Sequence, residues 1–513
     1  MQNFDHLLES WCFNAQMTLQ QIRLVPSVIQ VGIVEAVFDG IAHLSGLPDA
    51  RLNELLQFEN NDVGFVLTLE QKGLSCVLLD SSTRLTAGMK AYRTGQVLHV
   101  PVGRALLGRI VDPLGRPLDN AGKIHADCYA AIEQSAPDIV VRDHVHEPVQ
   151  TGIVVVDSLF PLGRGQRELI IGDRCKGKTA LAVDVLINQR DSDMICIYIA
   201  LGQKSSAVAR VIQAIQKYGA PERTIFVIAT ASASPGLQWL APFAGFTMAE
   251  YFRDRGGHSL VVIDDLSKHA ATHRELALLT QQPPGREAYP GDIFYLHARL
   301  LERAAKLSPQ YGGGSLTVLP IAETEAGNLS AYIPTNLISI TDGQIVLDTP
   351  LFYSGHMPAV DTRLSISRVG GKTQAPVLRT IVESLRLDYA QFLELEMFTR
   401  FGTTLDANIQ QTILRGQRTR AIFAQEQFSV LSLTAQIVLL LMLQRGIFDK
   451  VNAQQINAFK KILPDWLKNI GQPFADAIDQ GILPKPEIIE HFLQLLAALL
   501  QPASLHKTAT ACP

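Results

Sequence analysis

The sequence predicts a chain of several domains: a β-barrel near the N-terminus, a central α/β domain built on a phosphate-binding loop, and a helical C-terminal domain. Three observations carry that expectation. Short β-rich runs separated by turn residues fill the stretch from Val28 to about Val100. Gly172-Asp-Arg-Cys-Lys-Gly177-Lys178-Thr179 fits G-x-x-x-x-G-K-[ST], with an apolar run before it and a long stretch without Gly or Pro after it. Beyond about residue 376 the strand signal stops and apolar residues recur at helical spacing.

In chain order, residues 1–24 read as an amphipathic helix, with Phe4, Leu8, Trp11, Ala15, Leu19 and Ile22 on one stripe. Such a stripe needs the body of the protein or a partner to cover it. Residues 25–100 hold the barrel runs Val28–Phe38, Leu55–Phe58, Val63–Leu69, Leu74–Leu79 and Val97–Val102. Asp39-Gly40 after the first run is a hairpin signal. Residues 101–375 alternate strands and helices, with strands expected at Leu169–Ile171, Met194–Ala200, Thr224–Ile228, Leu260–Ile263 and Leu316–Pro320. Residues 376–513 read as helices at Leu378–Thr399, Leu405–Phe423, Ala435–Leu443 and Ile489–Leu500, with Gly446, Pro464, Pro473 and Pro484 between them.

Composition narrows the function. A net charge of −4, from 45 basic and 49 acidic residues, gives no general attraction to nucleic acid or anionic lipid. Six scattered cysteines without a C-x-x-C pair fit a reducing compartment and no structural zinc. Apolar runs such as Ile437–Leu443 are too short to span a bilayer, so any membrane link would go through partners.

The chemistry centres on the glycine-rich loop. Its backbone amides can curl round an anion, and the following helix adds partial positive charge. Lys178 would reach the outer phosphates and the Thr179 hydroxyl would sit on Mg²⁺. Leu260-Val-Val-Ile-Asp264 is an apolar strand ending in a carboxylate, the arrangement that holds Mg²⁺ in phosphate-loop enzymes, and Asp264 comes first off the strand. Hydrolysis also needs a group to orient or deprotonate water, yet the strand from Met194 leads to Gln203. An amide can position water but takes no proton at neutral pH. Nucleotide binding with little or no turnover is the expectation. Arg368, in a Ser/Gly-rich segment, is either a solvated, locally paired arginine or a finger for a neighbouring subunit.

At these residues the chain resembles the alpha subunits of F-type ATP synthases. The resemblance rests on Gly172–Thr179, Gly202-Gln203-Lys204, Asp264-Asp-Leu-Ser-Lys268, Pro283-Pro-Gly-Arg-Glu-Ala-Tyr-Pro-Gly-Asp292, Ile340-Thr-Asp-Gly-Gln344 and Ser365–Gly370. It runs from about Val28 to Phe428, and Gln203 separates it from the catalytic beta subunits, which carry glutamate there. The resemblance implies a β-barrel crown, a RecA-like P-loop domain and a helical base. It implies an alternating hexamer with beta around a gamma shaft, held by delta and b stalk subunits, with the residue 1–24 helix meeting the stalk. The assembly would be peripheral to the cytoplasmic face of a bacterial inner membrane and couple ATP synthesis or hydrolysis to transport of H⁺ or Na⁺. ATP or ADP with Mg²⁺ would lie at a non-catalytic site formed by Gly172, Asp173, Arg174, Cys175, Lys176, Gly177, Lys178, Thr179, Gln203 and Asp264. Phe352, Pro358, Gln425 and Gln427 match positions around the adenine. Arg368 would serve beta's catalytic site, with Ser365 in the same loop.

Three departures stand out. The loop reads Cys175-Lys176 where the family usually has Gln-Thr, and Met357 stands where it usually has an adenine-side arginine. Such divergence points toward a second-copy or specialised bacterial form. Two other ring ATPases share parts of this layout, the Rho-type helicase and the protein-export ATPase. Near-neutral charge and the missing carboxylate at Gln203 weigh against the first, and Gln203 against the second.

Overall fold

The computed structural model describes residues 30–71, 73–80, 84–399, 407–479 and 486–500. The helix expected over residues 1–24 lies outside them. The chain divides into two compact units, Met1–Leu78 with Ser82–Gln96, and Leu79–Ser81 with Val97–Pro513.

The first unit is a closed six-stranded barrel. Its strands are β1 (Val31–Phe38), β2 (Ile41–Ser45), β3 (Glu54–Phe58), β4 (Val63–Leu69), β5 (Leu74–Leu78) and β6 (Lys90–Val97), ordered β1-β2-β5-β4-β3-β6 and closed by β1 on β6. The β1–β2 turn is Asp39-Gly40, with φ of 40° and 84°, the two positive values a tight hairpin needs. Val34, Leu44, Leu56, Phe58, Val66 and Leu78 fill the interior. Across β3 and β6, Arg93 Nε lies 2.9 Å from buried Glu54. Burial raises the Glu54 pKa, but hydrogen bonds from Arg93 and two backbone amides outweigh it and leave it below the ordinary value. Sequence reading missed β6 because only Ala91 is buried in it, so no alternation marks it. The run expected at Val97–Val102 is divided: β7 (His99–Val102) pairs with β9 (Cys128–Ala131) in the second unit.

The second unit is built on an eight-stranded sheet. Besides β8 (Ile110–Val111), β10 (Pro148–Val149) and β11 (Leu162–Gly163), it contains β12 (Glu168–Asp173), β13 (Ile195–Gln203), β14 (Thr224–Thr230), β15 (His258–Asp264), β16 (Ser315–Thr324), β17 (Gly343–Leu347) and β18 (Ile366–Ser367). The order is β18-β17-β12-β16-β15-β13-β14-β8, parallel except for β18 on β17. Helices α1 (Lys178–Asn188), α2 (Ser205–Tyr218), α3 (Pro235–Arg253) and α4 (Leu266–Leu279) follow β12, β13, β14 and β15. A parallel sheet covered on both faces demands continuous apolar strands, and Leu260–Ile263 are all buried. The carboxyl ends of β12, β13, β15 and β16 therefore come out side by side, where such sheets bind ligands.

The same apolar cluster continues into α5 (Pro376–Thr399), α6 (Ala407–Phe423), α7 (Leu433–Gln444), α8 (Ala453–Asn469), α9 (Gln472–Asp479) and α10 (Pro486–Leu499). Helices α5 and α6 approach closely at Gly416, where a Cβ would stand 2.0 Å from the Phe392 ring. Ser432 caps α7, and Asn452 with Gln455 forms a capping box on α8. Pro464, expected between helices, lies inside α8, and Pro473 lies inside α9. Buried Ile456, Phe459, Leu463 and Leu467 share the packed face of α8, and that burial overrides the cost of roughly 3 kcal/mol for an interior proline.

Candidate functional site

The loop after β12 is shaped by its backbone. Gly172 lies so close to β17 that a Cβ would meet Leu347 O at 2.7 Å. Cys175 has a φ of 61°, and Gly177, with a φ of 94°, stands just before α1. Left-handed backbone of this kind is what lets a loop curl its amides round an anion. Lys178 is buried, with Nζ donating to Gly172 O at 2.9 Å and Asp173 O at 2.7 Å. Burial lowers its pKa, while Glu323, Asp265 and Asp264 pull the other way. Asp173 turns its carboxylate out of the cavity. It accepts from Thr324 Oγ1, Gly327 N and Thr349 Oγ1, each at 2.7 Å, and so moors the loop to the segments after β16 and β17.

Asp264 ends β15 as the apolar run predicts, and it is 3% exposed. Thr179 Oγ1 donates to Oδ2 at 2.7 Å, Tyr198 OH to Oδ2 at 2.9 Å, and Gln203 Nε2 to Oδ1 at 2.9 Å. The carboxylate acceptor fixes the Gln203 amide with its nitrogen inward. Burial first, and Asp264 beside it, hold the Tyr198 hydroxyl well above its usual range, so it stays a donor. Asp265 has a separate task. It caps α4 by accepting from Lys268 N at 2.8 Å, and burial pushes its carboxyl up to about 6. Lys178, Thr179, Gln203, Asp264, Lys268 and Glu323 line a cavity of about 490 Å³, with exposed Arg174 at its edge. Sequence reasoning missed Glu323, whose Oε1 lies 3.9 Å from Lys178 Nζ.

A second cavity of about 310 Å³ adjoins the loop. Cys175, Lys176 and Gly177 line it together with Phe352, Met357, Pro358, Gln425 and Gln427. Lys176 lines both cavities, and its ammonium sits 3.8 Å from the Tyr353 ring centroid and 5.0 Å from that of Phe352. The Gln425 amide is taken up by backbone, accepting from Val154 N at 2.7 Å and donating to Gly152 O and Ser429 O at 3.0 Å each. Asp184 accepts from Phe428 N at 3.0 Å, and burial pushes its carboxyl up to about 6.

Ser365 and Arg368 line neither cavity. Ser365 Oγ accepts from Val346 N at 2.9 Å and fastens its loop to β17. Exposed Arg368 donates to Thr341 O and Ile338 O, both at 3.2 Å, at the C-terminal end of the Tyr332–Ile340 helix. Carbonyls with partial negative charge hold a cation there without consuming it in an ion pair. Nearby Glu168 is fully buried with Gln166 Nε2 at 2.8 Å, and its carboxyl is raised well above the ordinary value, chiefly by burial and also by Asp342.

The donor sets suit two guests. Backbone amides and Lys178 fit a polyphosphate, and the Thr179 and Asp264 oxygens fit a hard divalent cation that completes its shell with phosphate and water. Among the described residues no three His, Cys, Asp or Glu side chains form a metal cage of their own. At Gln203 stands a group without proton affinity at neutral pH.

Residues 152–367 match the ATP synthase alpha/beta family, nucleotide-binding domain, and residues 374–499 match the ATP synthase alpha/beta chain, C terminal domain. The chain is 60% identical over 456 residues to ATP synthase subunit alpha 3 of Paraburkholderia xenovorans (strain LB400), covering 89% of this chain and 86% of the relative. It is 59% identical over 490 residues to ATP synthase subunit alpha 2 of Burkholderia thailandensis, covering 95% and 88%. ATP synthase subunit alpha 2 of Burkholderia pseudomallei (strain 1710b) is 59% identical over 457 residues, covering 89% and 69%.

Proposed function

Because the chain belongs to the ATP synthase alpha/beta family, with alpha subunits as its relatives, we propose that it is the non-catalytic, nucleotide-holding alpha subunit of a rotary ATP synthase. In this reading it alternates with beta in a hexamer around gamma and meets delta and b. It lies peripheral to the cytoplasmic face of the inner membrane, and no helix among the described residues is long and apolar enough to cross one. The complex would couple ATP synthesis or hydrolysis to movement of H⁺ or Na⁺.

The observation that carries the non-catalytic reading is the Gln203 amide bonded to Asp264 where a proton acceptor for water would be needed. The loop amides and Lys178 would bind the phosphates. Thr179 and Asp264 would hold Mg²⁺, which supplies charge neutralisation to the phosphates. Phe352, Met357 and Pro358 would wall the base. Arg368, whose guanidinium donates to two carbonyls, would be released to a neighbouring beta site as an arginine finger, with Ser365 fixing its loop.

The test combines assembly with turnover. Mixed with beta, the chain is expected to form an alternating hexamer, and alone it is expected to bind MgATP without sustained hydrolysis. Failure to assemble sinks the alpha reading. A second reading draws on Glu323, a carboxylate lining the phosphate cavity. Brisk hydrolysis by the lone chain, abolished by Glu323→Gln, would make this site catalytic.

A further inference from the structure

The loop after β12 is strongly cationic. Arg174, Lys176 and Lys178 stand at every second position, and the one carboxylate beside them, Asp173, is taken up by Thr324, Gly327 and Thr349. Lys178 is fastened to Gly172 O and Asp173 O. Lys176 has no such mooring. It is 9% exposed, yet among the described residues its ammonium has no carboxylate within ion-pair distance and no hydrogen-bond acceptor. Its neighbours are the faces of Tyr353 and Phe352. Tyr353 is itself exposed, and a ring face at such a site holds an ammonium only weakly.

The place of Lys176 in the loop offers it a stronger partner. Cys175, Lys176, Gly177 and Ala180 line both the cavity of about 490 Å³ and the cavity of about 310 Å³. Lys176 is the one cation among these four. A nucleoside triphosphate with its phosphates in the first cavity and its base in the second carries its phosphate chain across that boundary. A phosphate has full negative charge and accepts hydrogen bonds, whereas a ring face offers only its quadrupole.

We propose that Lys176 is a further ligand for the phosphate chain, and that Tyr353 and Phe352 form a competing seat from which the phosphates draw its ammonium. The inference rests on the nucleotide-holding reading of the site and adds to it a residue and an exchange of partners. Tyr353 lines neither cavity, so its ring acts on a bound nucleotide only through Lys176.

Calorimetric titration of the full chain with MgATP, and with magnesium tripolyphosphate, which has no base, tests the exchange. Lys176→Met keeps the length of the side chain and removes its charge. It is expected to weaken both ligands about tenfold at low salt and less at high salt, where screening has already reduced what the charge supplies. Tyr353→Leu keeps an apolar cover without a ring face. It is expected to tighten MgATP roughly two- to fivefold, the share of a cation–π contact at an exposed site, and to change nothing in the Lys176→Met background. Unchanged affinity in Lys176→Met overturns the proposal. Weakened MgATP with tripolyphosphate unaffected also overturns it, by assigning Lys176 to the base or the ribose. A loss of affinity in Tyr353→Leu, or the same change in both backgrounds, removes the competing seat. Absence of MgATP binding by the parent chain would instead overturn the nucleotide-holding reading, and this inference with it.

Discussion

Two buried carboxylates in the second unit have opposite surroundings. Glu250, at the end of α3, is 1% exposed and meets guanidinium on both oxygens: Arg303 Nε at 2.9 Å and Nη2 at 2.5 Å, with Arg253 Nη1 at 3.5 Å. Arg303 is fully buried and spends its other donors on Ile132 O and Thr247 Oγ1. Asp264 is as deeply buried, but its hydrogen bonds come from a hydroxyl, a phenol and an amide. The first set is neutralised and closed. The second takes its hydrogen bonds from neutral donors and lines an open cavity. The arginines divide the same way. Arg303 is locked to a carboxylate, while exposed Arg368 rests on two carbonyls. The two carboxylates are alike in burial and differ in the charge of their partners, whereas the two arginines differ in both.

Removing Glu250 should break the contrast most severely. Glu250→Ala leaves Arg303 buried and uncompensated, and denaturant unfolding is expected to show a loss of roughly 3–5 kcal/mol. Arg368→Ala should leave that stability unchanged and lower steady-state ATPase of the assembled hexamer roughly a thousandfold. Near-normal turnover would remove Arg368 from the mechanism. Asp264→Asn keeps the size of the side chain, discards its charge and turns one acceptor into a donor, which a flipped Gln203 amide can meet with its oxygen. The chain should fold as before, yet the Mg²⁺ concentration needed for tight ATP binding should rise roughly 10- to 100-fold. Equal Mg²⁺ dependence would place Asp264 with Glu250 as a structural group.

The smallest effect is expected at Asp184. Its carboxyl, pushed up to about 6, is protonated in the folded chain and ionised in the unfolded one between about pH 4 and 6. The folded state then holds the extra proton. Stability should fall as pH rises through that window and level off above it. Asp184→Asn should make the fall shallower and add roughly 1–2 kcal/mol at pH 7, measured by unfolding at several pH values.

The parts legible in the sequence are those with a local physical signature. Glycine spacing marked the loop, and an apolar run ending in an acid marked Asp264. The order of layers followed from periodicity. Glu323 escaped because Pro320 interrupts its strand pattern, and a proline argues against a central strand; yet β16 runs on to Thr324. β17 escaped because five residues between turn signals carry little periodicity. Gln425 was named only through the family resemblance, and its engagement by Gly152, Val154 and Ser429 depends on contacts more than 270 positions away in the chain for the first two. No local pattern encodes such contacts.

Asp173 has one more consequence. Its three hydrogen bonds knot the first turn of the loop to the chain following both neighbouring strands, and β17 in turn carries the Ser365 bond. An anion settling against the loop thus works like a keystone in an arch. In the proposed reading, tightening there would be shared with the segment that bears Arg368, and a nucleotide held without being consumed would act as masonry for a neighbouring site.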